Sequence, residues 1–109
     1  MTTRNVHPLI ESWLTRWSRN YAFLRRAVDV VGRELARQPY EMLLQPEELS
    51  FTQFIDGHPV DFEVEIIRVD TDGRIWARVE ARSELPTPLM LRPALVFTKH
   101  RDGMAYVQY

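Results

Sequence analysis

Residues 60–82, VDFEVEIIRVDTDGRIWARVEAR, constrain this chain more than any other stretch. Val60, Phe62, Val64 and Ile66 alternate with Asp61, Glu63 and Glu65. After Thr71-Asp72-Gly73, Ile75, Ala77, Val79 and Ala81 alternate with Arg74, Trp76, Arg78, Glu80 and Arg82. Side chains on a strand point to opposite faces in turn, so two alternating runs around an Asp-Gly turn predict a β-hairpin with one face for a core. Setting Val69 opposite Arg74 places Ile66 by Ala77, Val64 by Val79 and Phe62 by Ala81, with Glu65 by Arg78 and Asp61 by Arg82. A slip of one residue would put Arg78 opposite Ile66 and mix the faces. The register leaves two conflicts near the turn. Arg68 falls on the apolar face opposite Ile75, and Ile67 pairs with Trp76 on the charged face beside Val69.

Upstream, residues 1–7 form a polar tail and residues 8–38 a helical region. Ile10, Leu14, Trp17, Tyr21, Leu24, Val28, Val31 and Leu35 recur at alternating steps of four and three, the period of an apolar helical stripe. Pro8 suits a first helical turn. An unbroken helix of this length runs about 46 Å, against about 33 Å for the strand Val60–Val69. The helix must therefore break, with Ser18-Arg19-Asn20 the weakest stretch, or overhang the sheet. An overhang would leave Trp13 and Trp17 facing water unless a second copy covered them, so an unbroken helix predicts a homodimer. Gly32 in mid-helix points to close packing.

Tyr40–Leu44 reads as a short helical turn or extended link, and 45–48 as a polar connection. A strand over Leu49–Ile55 turns at Asp56-Gly57 into the central hairpin, with Ile55 opposite His58 and Phe51 opposite Phe62. Pro86, Pro88 and Pro93 make residues 83–93 an edge or loop. Ala94–Lys99 and Met104–Tyr109 then form a last hairpin around Asp102-Gly103, with Lys99 opposite Met104 and Phe97 opposite Tyr106. The result is one domain over residues 1–109, of α+β class: an N-terminal helix, long or broken, on a mostly antiparallel meander of about five strands over residues 49–109. That layout resembles the cystatin-like and nuclear-transport-factor-like arrangements, a likeness of topology alone.

The 109 residues carry a formal net charge of -1 and no cysteine. Bulk attraction to nucleic acid or to an anionic membrane is not expected, and thiolate chemistry and disulfides are excluded. No apolar run approaches the roughly 18 residues of a membrane span, and residues 1–12 carry no signal-like run, so a cytoplasmic location is the expectation. His58 and His100 belong at opposite ends of a meander and His7 lies in the tail, so no metal or cofactor site is expected. Glu63 opposite Glu80 would be an acid–base pair if buried, and a solvated pair relieved by Arg78 and Arg82 otherwise. No nucleophile or glycine-rich loop accompanies them, and no catalytic residue is assigned. Arg19, Arg26, Arg33 and Arg37 share one side of the helix, the charged outer face that a core-packed helix requires.

The least ordinary feature is Ile67, Val69 and Trp76, an apolar group on a face that should meet water, rimmed by Glu65, Arg74 and Arg78. A Trp-centred apolar patch with a charged rim has the make-up of a binding hot spot. The expected function is therefore a non-enzymatic protein-binding module, a small inhibitor or immunity-type protein acting through its sheet face on another protein or on itself. The alternative is a small-ligand or enzymatic pocket between helix and sheet, lined by Phe51, Phe62, Trp17 and Tyr21, with Gln53 as its inward polar group.

Overall fold

The computed structural model describes residues 7–44 and 48–108. The expected tail, His7 apart, and link residues 45–47 lie outside them. One long helix, α1 (His7–Ala36), precedes a single helical turn, α2 (Tyr40–Leu43). Five strands follow: β1 (Glu48–Ile55), β2 (His58–Val69), β3 (Ile75–Arg82), β4 (Ala94–Lys99) and β5 (Ala105–Gln108). They form one sheet in the order β1-β2-β3-β4-β5 with every neighbouring pair antiparallel. This is an α+β meander with α1 packed on one face.

The core lies where α1 crosses β3 and β4. Leu24, Ala27, Val28 and Val31 of α1 are buried against Phe62, Ile75, Ala77, Val79, Ala81, Leu95 and Phe97. Full burial of side chains such as Phe62, Phe97 and Val28 stabilises the fold by roughly 1.5–3 kcal/mol each. The alanines of β3 leave room for the helix. Gly32 lets it approach β4, because a Cβ at this position would stand 2.9 Å from Leu95 Cδ2.

Helix α1 is continuous through Ser18-Arg19-Asn20, so the length mismatch is resolved by overhang and not by a break. Asn20 explains part of this. Its side-chain amide, which elsewhere competes with helical backbone, instead donates to the Pro86 carbonyl at 2.7 Å. Farther along, Arg25 donates to the Ala94 carbonyl at 2.7 Å. The other end of α1 is held by Lys99, only 4% exposed. Its Nζ donates to Ala36 O and to Gly103 O, each at 2.9 Å. The Ala36 carbonyl belongs to the last turn, whose oxygens have no helical partner. Lys99 supplies one and places its cation at the negative end of the helix dipole.

The hairpin turns fall into two kinds. Asp56 and Gly57 both have positive φ, 49° and 81°, which makes a two-residue turn with the twist of the flanking strands. The other two are longer. Gly73 N–H donates to Asp70 O (2.9 Å) and Asp70 N–H to Arg74 O (2.9 Å), while Gly103 N–H donates to His100 O (3.0 Å) and His100 N–H to Met104 O (2.8 Å). Each is a tight turn closed by a left-handed glycine, and in each the aspartate side chain accepts the N–H two residues on.

This geometry corrects two expected registers. In the last hairpin Lys99 pairs with Ala105, Thr98 with Tyr106 and Phe97 with Val107, one residue away from the expected pairing. In the central hairpin the pairs from Asp61–Arg82 to Ile66–Ala77 are as expected, but Arg68 pairs with Trp76 and Val69 with Ile75. Ile67 is a β-bulge, an extra residue that absorbs the one the turn consumes. Arg68 thus leaves the apolar face, and Val69 takes the position opposite buried Ile75.

Candidate functional site

The bulge rearranges the patch expected around Trp76. Trp76 and Val69 lie on opposite faces of the sheet, and Ile67 stands exposed at the bulge. The ring of Trp76 is covered by its own chain. The guanidinium carbons of Arg68 and Arg74 lie 4.3 Å and 5.5 Å from its centroid, within cation–π range. Asp70 ties the three together. One of its oxygens accepts from Trp76 Nε1 (3.0 Å) and Arg74 Nε (3.0 Å), the other from Arg68 Nε (3.1 Å). The hydrogen bond from Trp76, then that from Arg74 and the charges of both arginines, hold the Asp70 carboxyl below the usual carboxylate range. Of the expected rim, Glu65 pairs across the ladder with Arg78, whose guanidinium lies 3.6 Å from Glu80. Nothing in the sequence alternation points to Asp70, which sits in the turn.

A second constellation lies where α1 overhangs the sheet. Residues 83–93 fold back beneath Trp17 and Leu24 and leave a cleft of about 500 Å³, walled also by Leu85 and Met90. The loop is braced from within. Thr87 is buried and its hydroxyl donates to Leu91 O at 2.8 Å, and Leu85 N–H donates to Ser83 Oγ at 3.1 Å. Asn20 grips it from the helix. At its tip, Leu89 and Met90 have φ of 54° and 55°. Two successive non-glycine residues in this region cost on the order of 1–3 kcal/mol each, and such strain clusters at functional sites. The tip presents apolar side chains to solvent, Leu89 90% and Met90 82% exposed, with Trp13 and Leu14 of the overhang each 51% exposed. Trp17, expected to be bare on an unbroken helix, is half-buried against the loop.

No family model, curated protein or solved structure matches this chain.

The remaining candidates do not converge. His58 starts β2 and packs edge-on against Phe23 (5.7 Å between centroids), whereas His100 packs against Tyr106 (5.5 Å) at the far end of the sheet. Glu63 and Glu80 are directly opposite and half-buried on the outer face. Arg19, Arg26, Arg33 and Arg37 are exposed, and two of them pair along the helix, Arg33 with Asp29 and Arg37 with Glu34. Of the residues expected to line a pocket between helix and sheet, Phe62 is fully buried with Phe51 stacked on it at 5.4 Å, Trp17 faces the cleft instead, and Gln53 is exposed. A smaller apolar cavity of about 200 Å³ lies between Leu35, Leu43, Leu49, Val64 and Ile66. Among the described residues no helix is long and apolar enough to cross a membrane.

Proposed function

We propose that this protein is a non-enzymatic protein-binding module, of the small inhibitor or immunity type, that grips another protein with the overhang of α1 and the tip of the 83–93 loop. The observation that carries the reading is the pair Leu89-Met90. Two adjacent residues are held in a strained backbone conformation by a braced loop, and their side chains point to water. Folding alone gains nothing from this arrangement. Exposed apolar side chains on a preorganised loop beside an apolar cleft favour a protein surface as ligand, because ordering costs are already met. Trp13 and Leu14 extend the same surface along the helix. The partner's complementary part is an apolar segment that enters the cleft beside Trp17 while its flanks cover Leu89 and Met90.

The sheet face around Ile67, Trp76, Arg74, Arg78 and Glu65 is a second binding surface on this reading, supported by the exposure of Ile67 at the bulge. The two are separable. A stoichiometric partner captured from the native cell should be lost with Leu89→Asp combined with Met90→Asp, and retained with Ile67→Asp. Both variants should melt like the wild type. Loss with Ile67→Asp alone moves the site to the sheet face. Retention in both variants, or no partner at all, overturns the reading. A small apolar ligand, the alternative that a cleft of this size admits, would instead co-purify with the isolated protein and be lost with Trp17→Ala.

A further inference from the structure

The two edges of the sheet are unlike. Among the described residues β5 covers Ala105–Gln108. β1 has eight residues and pairs with β2 in unbroken register from Glu48–Glu65 to Ile55–His58. Among the described residues no strand pairs with its other side. Its run Leu49-Ser50-Phe51-Thr52-Gln53-Phe54-Ile55 contains no charge and no proline, and no bulge interrupts it. The usual guards of an exposed edge are missing together. Helix α1 packs over β3 and β4; on β1, Leu49 is 40% exposed on the helix side and Phe54 70% exposed on the opposite face.

We infer that β1 pairs antiparallel with β1 of a second copy of this chain, joining two five-stranded sheets into one of ten strands. A second copy fits because the uncharged run is centred on Thr52. A two-fold axis through Thr52 overlays the whole run on itself, setting Thr52 opposite Thr52 of the partner, Leu49 opposite Ile55, Phe51 opposite Gln53 and Ser50 opposite Phe54. Such a contact is isologous and closes on itself. Like faces meet, so both helices lie on the same side of the joined sheet. Each Thr52 hydroxyl already donates to Asp61 Oδ1 of its own sheet at 2.6 Å, so the facing pair packs through its methyl groups. No charges oppose within the run, and Glu48 faces Asp56 only beyond its ends. Seven pairs supply about six to eight main-chain hydrogen bonds. The inference does not rest on the binding role proposed for the overhang, which lies off the opposite end of α1 from its sheet-packed segment and stays free in this dimer.

The test uses light scattering and sedimentation across the micromolar range, with cross-linking. The wild type should be a dimer. Thr52→Lys, which sets two ammonium groups face to face while keeping Asp61 as a neighbour in its own sheet, should be a monomer that still unfolds cooperatively, with a melt that no longer depends on protein concentration, and Thr52→Ser should stay dimeric. The chain has no cysteine, so Thr52→Cys should oxidise to a covalent dimer and Ser50→Cys should not. A wild type that is monomeric throughout overturns the inference. So does a dimer that survives Thr52→Lys but is lost with Trp13→Glu, because it would use the helix. A dimer in which Thr52→Cys fails to cross-link overturns the Thr52-centred pairing.

Discussion

Asp70 accepts three side-chain hydrogen bonds on one carboxylate, and two of its donors are arginines that also cover Trp76. Its carboxyl is held below the ordinary value of 3.8. A lowered native pKa makes a contribution that is complete above the unfolded value and is lost as pH falls through the native one. Asp70→Asn should therefore lower the melting temperature at neutral pH, and the gap to the wild type should narrow below about pH 4. Thermal melts of both proteins from pH 7 to pH 2.5 check this; a gap independent of pH would show that the carboxylate's charge is irrelevant. At this scale the sequence was readable in part. Gly32 announced close packing by its place in mid-helix. Lys99 did not announce its role, although it lies in phase with Leu95 and Phe97 on the buried face. A charge in an apolar register is the available signal, but its partners, Ala36 and Gly103, are set by the docking of α1.

The central hairpin shows how elements carry more information than its alternation reveals. Pairing beyond Ile66 followed from the apolar residues of both strands, because any slip would expose them. Near the turn, Arg68 on the apolar face and Trp76 on the charged one conflicted with the simple ladder, and that conflict is the trace of the bulge. Asp-Gly alone does not decide whether two or three residues form the loop; the dipeptide does both in this chain, at Asp56-Gly57 and at Asp72-Gly73. In the last hairpin no bulge restores the count, so the shift runs the length of β5. A deletion experiment follows. Removing Ile67 joins Ile66–Ala77 directly to Arg68–Trp76 and leaves a regular ladder, so the stability of that variant should change by no more than about 1 kcal/mol. Removing Glu63 turns the segment between it and the bulge over, carries Val64 and Ile66 off the core face, and should abolish cooperative unfolding. Denaturant titrations of the two single deletions distinguish them.

Across the molecule, which measures 65 × 25 × 18 Å, the α+β meander was legible because a four-three stripe and two alternating runs each have one stable way to bury themselves, with two further Asp-Gly turns marking the outer hairpins. The candidate binding surface was not. It depends on the contact of Asn20 with the proline-rich loop and on the backbone of Leu89-Met90, neither of which leaves a pattern in the residues. The long axis follows from a helix anchored at one end. Lys99 fixes the last turn, the sheet covers Leu24–Val31, and the first turns project beyond. Amide hydrogens around Trp13–Trp17 should accordingly exchange by fraying, orders of magnitude faster than those of Val28–Val31, which should exchange only with global unfolding. Equal protection along α1 would contradict this. On the proposed reading, the readiness of the projecting turns to grip a partner is set by helix–coil balance and not by the core. Thr15 and Ser18, exposed there and both weaker helix formers than alanine, are places where affinity for a partner can be raised or lowered by a few tenths of a kcal/mol each while the stability of the sheet stays as it is.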